Sequence, residues 1–155
     1  MSVNVNKIGF ARDSEEFRVN SARLAQFARA LNDTNRAHLD GTVASPTFHH
    51  IPVMQSMVEV LGAVTGAFGL HGEHDFHFHR PIEPGQRLHN LSKLVGVGST
   101  KAGATLIIRS DIRTHEGLEV SSQVSTVLLT SETVSKAAGE AAPRPPAKVE
   151  GGTAV

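Results

Sequence analysis

The sequence predicts one α+β domain in which an antiparallel sheet curls around a single central helix. Two observations support this fold class. Apolar residues recur at helical spacing from Phe48 to about Phe68, and almost everything after Gly72 has the alternation or the apolar runs of β-strands. A chain of 155 residues suits one domain, which we assign to residues 1–130.

The N-terminal part predicts one short strand and one helix. Residues 1–13 have the pattern of a loose lead-in, and "EEFRVN" suits a short first strand. Ser21 is a suitable N-cap for a helix that ends at Asn32 and Asp33. The apolar positions of that helix follow a helical spacing: Leu24, Phe27, Ala28 and Leu31.

The second helix is predicted to lie at the centre of the fold. It extends from Phe48 to about Phe68 and has one broad apolar face, with small residues elsewhere. We therefore expect it to be buried nearly all round, with the sheet wrapped about it. The residues of the broad face are Ile51, Met54, Met57, Val58, Leu61 and Val64.

Four strands are predicted to follow as an antiparallel meander: "HDFHFHRPI", "RLHNLSKLVGVG", "ATLIIRSDIRT" and "LEVSSQVSTVLLT". "EPGQ" and "HEG" are typical of turns, and Gly72 and Gly85 are predicted at turn positions. The glycine-rich stretch 96–103 predicts a hairpin loop, because a phosphate-binding glycine loop would lead into a helix. Residues 131–155 lack periodicity and are predicted to be a disordered tail.

Composition narrows the possible functions. The chain has 15 basic and 15 acidic residues, so no charged field favours nucleic acid or an anionic membrane surface. It has no cysteine, which excludes disulfides and a cysteine nucleophile and fits a reducing cytoplasm. The start lacks a signal-peptide pattern, and the longest weakly polar run is too short to span a membrane. We expect a cytoplasmic protein without nucleic-acid or membrane partners.

The segment "ALNDTNRAHLDGTVASPTFHH", residues 30–50, contains the candidate site. "NDTN" is typical of a turn, and a turn can point Asp33 and His38 the same way although they are five residues apart. An aspartate and a neutral histidine together can orient and deprotonate a water and later return the proton. Asn35, between them, can offer an amide to a carbonyl. Caps, turns and a solvated histidine are the alternative interpretation of these residues.

This segment resembles the hydratase-2 signature of the MaoC-like enoyl-CoA hydratases and dehydratases. In that signature the catalytic aspartate and histidine correspond to Asp33 and His38, and the asparagine between them corresponds to Asn35. Phe27 takes its aromatic position and Ala44 its small position. The resemblance implies that Asp33 and His38 are catalytic.

The chain departs from the signature at three positions. Asn32 replaces a glycine that permits a positive φ, and asparagine is the next most tolerant residue there. Arg36 replaces a proline with a fixed φ, so the loop can be set differently. Ala37 takes an aliphatic position.

A second resemblance covers the following segments. "ASPTF", the helix after it, and "LHGEHDFHFHRPIEPGQRL" are similar to the N-terminal MaoC-like, FAS1-like dehydratase domain, and the match extends over about residues 15–130. It implies a single hot-dog fold, a long helix wrapped by an antiparallel sheet. In two-part members of that family, this half is commonly the one that shapes the acyl pocket while the other half carries the catalytic pair.

The resemblance implies an (R)-specific 2-enoyl-thioester hydratase, or 3-hydroxyacyl-thioester dehydratase, acting on a CoA or acyl-carrier-protein substrate. Asp33 and His38 would activate the water and move the proton. A backbone N–H near His49 would polarise the thioester carbonyl, helped by the helix dipole, with Asn35 and Phe48 also at the substrate. No metal or redox cofactor is expected.

We also expect a homodimer, or a heterodimer with another MaoC-like chain, because a single hot-dog leaves one sheet edge open. The alternative function is a non-catalytic, acyl-binding subunit of a heteromeric dehydratase. A hot-dog thioesterase, which usually places its carboxylate on the central helix, ranks last, because Glu59 is the one acid on that predicted helix. His77 and His79 share a strand face, but no third metal ligand is evident there. Acyl chain length and pathway stay open.

Overall fold

The computed structural model describes residues 2–3, 5–65, 69–130 and 133–134. Two 3-10 helices, Val5–Lys7 and Pro46–His50, accompany the regular elements. The helices and strands are β1 (Ser2–Val3), β2 (Ala11–Asp13), β3 (Phe17–Arg18), α1 (Ser21–Ala30), α2 (Arg36–Leu39), α3 (Met54–Thr65), β4 (Leu70–Phe78), β5 (Arg87–Thr100), β6 (Gly103–Thr114), β7 (Glu119–Thr130) and β8 (Thr133–Val134).

The main sheet is antiparallel and has the strand order β2-β5-β6-β7-β4, with β3 also paired to β5. The strands β5, β6 and β7 form the predicted meander, and the predicted "HEG" turn joins β6 to β7. The prediction of a loop over residues 96–103 is wrong, because the turn between β5 and β6 is only Lys101 and Ala102 and the strands extend to Thr100 and from Gly103. The prediction is wrong for β4, which pairs with β7 and not with β5.

The segment between β4 and β5 explains why these two strands are not neighbours in the sheet. Its backbone bonds to the N-terminal part of the chain instead of closing a hairpin: Ala44 N–H donates to the Ile82 carbonyl over 2.9 Å, and Val19 bonds to Gln86 and Gly85. Gly85 has the left-handed φ of 87° that its predicted turn requires. The chain therefore leaves β4 at one edge of the sheet and re-enters at β5.

Helix α3 packs on one face of this sheet, as predicted. Its inward residues Met57, Val60, Leu61 and Val64 join one core cluster with apolar residues of β5, β6 and β7. Helix α3 is not buried all round, however, because Met54 and Val58 are 41% and 42% exposed. A second cluster lies beneath α1 and the turn before α3; its larger members are Leu24, Phe48, Val53, Ile82, Leu88 and Ile112.

The central helix begins later than the periodicity predicts. Residues 46–50 form a 3-10 helix, and the α-helix starts at Met54. Pro52 is the reason, since it has no N–H for an α-helical bond to Phe48 and its ring would clash with that turn. The N–H groups of Ile51 and Val53 instead form i to i−3 bonds.

Other boundaries differ by a few residues. Asn20, not Ser21, caps α1, because its extended backbone lets Oδ1 accept the Arg23 N–H over 2.8 Å. The lead-in contains strand β2, which is too short and polar to be recognised from the sequence. Gly72 lies inside β4 at a β-bulge and not in a turn.

The predicted tail, 131–155, lies outside the described residues except for Thr133 and Val134. These two residues pair in parallel with Ser2 and Val3. Within the described parts of the chain, no helix is long and apolar enough to cross a membrane.

Candidate active site

The end of α1 fixes the position of Asp33. Asn32 is left-handed, with φ 54°, and is the one non-glycine residue with positive φ in the described chain. Its N–H donates to the Arg29 carbonyl, and the Asp33 N–H donates to the Ala28 carbonyl over 3.0 Å. This is a Schellman ending, which satisfies the last carbonyls of the helix. Asparagine thus takes the conformation expected for the family's glycine.

A one-turn helix, α2, then orients His38. The N-cap is Asn35, whose Oδ1 accepts the Ala37 N–H over 3.0 Å. The Asn35 N–H in turn donates to Oδ1 of Asp33 over 2.9 Å. The turn was predicted, but His38 lies within α2 and not in an irregular loop. The turn and α2 together make the two side chains converge.

Asp33 and His38 form a hydrogen-bonded pair. The distance from His38 Nδ1 to Asp33 Oδ2 is 2.7 Å, and the side chains are 15% and 19% exposed. Ser45, itself buried, donates its hydroxyl hydrogen to the same oxygen over 2.7 Å. Both carboxylate oxygens of Asp33 therefore already have protein partners.

The electrostatics of the pair determine the tautomer of His38. Hydrogen bonds from the Asn35 backbone and from Ser45 lower the pKa of Asp33 from 3.8 to about 2. Asp33 is therefore an ionised acceptor at neutral pH, and the hydrogen between the two residues belongs to Nδ1 of His38. In the neutral ring, Nε2 then carries the lone pair that can accept a proton.

The departure at position 36 has little effect on this geometry. Arg36 is the first residue of α2, the position where proline is favoured because its N–H is not needed. Asn35 before it is extended (φ −72°, ψ 121°), which is the conformation that a following proline would impose. The Arg36 side chain points to solvent and lies 3.7 Å from Asp40.

The other predicted site residues lie deeper. Phe48 is 1% exposed and packs edge-on against Phe17 and Phe27, so it serves the core. The His49 ring is also buried and lies edge-on to Phe78, with ring centroids 4.8 Å apart. Burial lowers the pKa of His49 to about 4, which keeps the ring neutral.

Two residues that were not predicted at the site support it: Ser45, which had only been considered and rejected as a nucleophile, and Gln123. Ser45 anchors Asp33, and Gln123 on β7 donates its amide to the His49 carbonyl over 2.6 Å. The signal for Ser45 was its place next to Pro46, between the polar loop and the 3-10 helix. Gln123 gave a weaker signal, the single amide of β7, in which only apolar and hydroxyl residues otherwise follow Glu119.

An antiparallel sheet packed on one helix is the hot-dog fold that the sequence resemblance implied. The family model described as "FAS1-like, dehydratase domain region" matches residues 6–121. The chain belongs to this family, and it is a MaoC-like hot-dog protein.

One relative is similar in sequence over most of the chain, and solved structures share the fold. A protein of Saccharopolyspora erythraea named "UPF0336 protein" is 26% identical over 126 residues, which cover 72% of this chain and 81% of that protein. The HadBC (3R-hydroxyacyl-ACP dehydratase) complex of Mycobacterium tuberculosis contains a chain with TM-score 0.71 and 19% identity, covering 79% of this chain and 97% of that one. The R-hydratase PhaJ1 of Pseudomonas aeruginosa has TM-score 0.59 and 15% identity, covering 90% of each chain.

Proposed function

We propose that the chain is an (R)-specific 2-enoyl-thioester hydratase that also catalyses the reverse dehydration of 3-hydroxyacyl thioesters. One observation carries the proposal: His38 Nδ1 lies 2.7 Å from an Asp33 carboxylate that two further donors hold in place. A histidine oriented in this way presents Nε2 as a general base. The R-hydratase and 3R-hydroxyacyl-ACP dehydratase among the similar structures support the reaction class.

The reaction balances with these groups alone. Nε2 of His38 removes a proton from a bound water while the oxygen adds to C3 of the enoyl group. Electrons move onto the thioester oxygen, and the imidazolium then returns the proton to C2, so that one water is added in total. Because both oxygens of Asp33 are engaged, its role here is to position His38 and to face the charge that forms on the ring.

Asn35 and His49 are the proposed substrate contacts. Oδ1 of Asn35 is used by the cap of α2, which leaves its NH₂ group to donate to the thioester or its carrier. A backbone N–H of the turn at His49 would polarise the thioester carbonyl. The helix dipole cannot act there as first expected, because α3 begins only at Met54. CoA and acyl carrier protein are both suitable carriers.

The test is hydration of a short trans-2-enoyl-CoA by the purified chain, followed by loss of the enoyl-thioester absorbance. His38→Gln removes the base, and we expect the rate to fall by about 10²–10⁴-fold. Asp33→Asn keeps the shape of the side chain but removes its charge and favours the wrong tautomer of His38. We therefore expect the hydration rate of this variant to fall as well. Asp40→Asn, an exposed carboxylate two residues beyond His38, is the matched control.

The kinetic pattern decides the assignment. A fall in kcat with little change in KM would support a base acting in the reaction. The proposal would be contradicted if the His38→Gln variant were as active as the wild type. Circular dichroism of each variant separates loss of chemistry from loss of fold.

A second candidate function is an acyl-binding subunit of a two-chain dehydratase. The observation that favours it is strand β4, which pairs with β7 on one side and meets no described strand on the other. Two apolar residues of this strand, Leu70 and Phe78, are 63% and 49% exposed. The similar HadBC structure is named as that of a dehydratase complex.

Co-expression distinguishes the two functions. In the subunit case, the chain is inactive alone, a MaoC-like chain from the same source co-purifies with it, and activity of the complex survives His38→Gln. In the hydratase case, activity is present without such a chain and depends on His38.

A further inference from the structure

We propose that His50, His71 and His74 form a site for a divalent cation of the zinc class, separate from the Asp33–His38 pair. One ring nitrogen from each histidine lies within 4.8 Å of those of the other two. The distance from His71 Nε2 to His74 Nδ1 is 3.0 Å. Tetrahedral zinc with imidazole ligands needs ring nitrogens about 3.3–3.4 Å apart, so small side-chain movements would suffice.

The β-bulge at Gly72 is what brings His71 and His74 together. Side chains three residues apart on a regular strand point to opposite faces of the sheet. In β4 the register shifts between His71 and Glu73, and the extra residue of the bulge restores both rings to one side. The bulge therefore builds a pair of ligands that the strand alternation alone would separate.

Gln123 sets the protonation of His74. Its Nε2 donates to the His49 carbonyl over 2.6 Å, so its Oε1 must be the atom that faces His74 Nε2 over 3.0 Å. Nε2 of His74 consequently carries the hydrogen, and Nδ1 of the neutral ring carries a lone pair. That lone pair faces His71 Nε2 and the hydroxyl of Ser125, both 3.0 Å away. A metal-binding histidine usually donates its other ring N–H to an oxygen acceptor, and Oε1 of Gln123 is such an acceptor here.

His50 completes the site. Its ring centroid lies 4.5 Å from that of His74 and 5.3 Å from that of His71. Its Nδ1 is buried and makes no hydrogen bond within the described residues, and one of its two ring nitrogens lies within 4.8 Å of the ligand atoms of His71 and His74. His71 is exposed, so an ion has a path from solvent, and water can supply a fourth ligand.

Two other histidine groups suit a cation less well. His77 and His79 have rings 4.7 Å apart but belong to no group of three ligands in the described residues. Glu16, His89 and His115 do form such a group. Glu16, however, is held by Arg18 and Arg87, at 3.0 Å and 3.4 Å, and these positive charges oppose a cation.

A metal ion bound by His50, His71 and His74 would connect the turn before α3 to the edge strand β4.

The experiment is a titration of the tag-free, EDTA-treated full chain with Zn²⁺ by calorimetry and with Co²⁺ by absorption spectroscopy. We expect one ion per chain, tetrahedral Co²⁺ bands in the visible region that Zn²⁺ removes, and a higher Tm with Zn²⁺. His71→Ala and His74→Ala should each weaken binding by at least about tenfold. None of these three readouts involves an enoyl substrate, so the result is independent of the proposed hydratase activity.

Matched variants make the outcome decisive. His77→Ala on the same strand and His89→Ala in the other group should bind as the wild type does. Binding that is lost in His89→Ala, that persists in both His71→Ala and His74→Ala, or that is absent from the wild type would overturn the site. His71 is exposed, so His71→Ala keeps the test available if His74→Ala does not fold.

Discussion

Ser45 donates its hydroxyl hydrogen to Oδ2 of Asp33 over 2.7 Å, across twelve positions of sequence. The same oxygen accepts from His38. Ser45 is buried and directly precedes the 3-10 helix Pro46–His50. The serine therefore ties the polar loop, with its Asp–His pair, to the turn in front of the central helix.

Ser45→Ala is expected to lower the hydratase rate. The substitution removes a hydrogen bond to a charged group, worth about 1.5–3 kcal/mol, and lets the carboxylate and His38 turn away from their shared geometry. We expect kcat to fall by about 10–100-fold with a smaller change in KM. Initial rates over a range of enoyl-CoA concentrations measure both quantities.

The control for this variant is Thr42→Ala. Thr42 also donates a hydroxyl hydrogen within the same loop, to the Ala37 carbonyl over 3.0 Å, but does not contact Asp33. Equal losses of kcat in the two variants would mean that the loop as a whole, and not the contact with Asp33, governs the rate.

The ionisation of Asp33 should appear in the pH dependence of stability. Its pKa falls from 3.8 to about 2 on folding, mainly through the Asn35 backbone hydrogen bond. A lowered pKa means that the stabilisation is present in full above the unfolded value and is lost as the pH falls towards 2. Denaturant unfolding of the wild type and Asp33→Asn between pH 6 and pH 2 measures this.

The expected result is a free-energy difference between the two proteins that is constant above about pH 4 and shrinks below it. A difference that stays constant down to pH 2 would show that folding does not lower the pKa of Asp33. The same value predicts that an acid limb of the rate profile above pH 4 belongs to a group other than Asp33.

Local signals in the sequence were sufficient for much of the fold. The alternation of β5, β6 and β7 and the turn residues between them predicted these strands to within two residues. The spacing from Asp33 to His38 and the tolerance of Asn32 for positive φ were also visible in the sequence. In the folded loop the two side chains are hydrogen-bonded, and Asn32 has a positive φ. These features depend on neighbours along the chain, which is why sequence reasoning reached them.

Other features depend on distant partners and could not be predicted in the same way. β4 pairs with β7 because the segment before β5 bonds to Val19 and Ala44, which lie far away in sequence. The contact of Ser45 with Asp33 and the meeting of His50 with β4 are non-local too. The late start of α3 is different, since Pro52 was a local signal that the strong apolar periodicity concealed.

Arg36→Pro should be tolerated and slightly stabilising. Position 36 begins α2, Asn35 already has a conformation that accepts a following proline, and proline restricts the unfolded chain. The lost pair with Asp40 is exposed and contributes little. We expect a gain of about 0.4–1 kcal/mol in the free energy of unfolding, measured by urea denaturation.

Ala37→Pro is the contrasting variant. The Ala37 N–H donates to Oδ1 of Asn35, so a proline there removes the cap bond of α2 and should destabilise the loop. If Arg36→Pro destabilised the chain as much as Ala37→Pro, the start of α2 would have been assigned to the wrong residue.

His49 should make the protein sensitive to mild acid. The ring is 3% exposed, its Nδ1 has no partner among the described residues, and burial lowers its pKa from 6.5 to about 4. Below pH 6.5 the unfolded chain binds a proton that the folded chain does not accept, so stability falls with pH until about pH 4 and then levels off. The loss is about 1.4 kcal/mol per pH unit, on the order of 3 kcal/mol in total.

The measurement is the free energy of unfolding at pH 7 and at pH 4.5, for the wild type and for His49→Gln. The variant can be less stable at pH 7, because a glutamine must be accommodated in the same buried space, but it lacks this titration and should lose less stability between the two pH values. His77→Gln, at an exposed position of β4, should follow the wild type. Equal losses in all three proteins would mean that His49 is protonated in the folded chain, and the buried, neutral ring described above would be wrong.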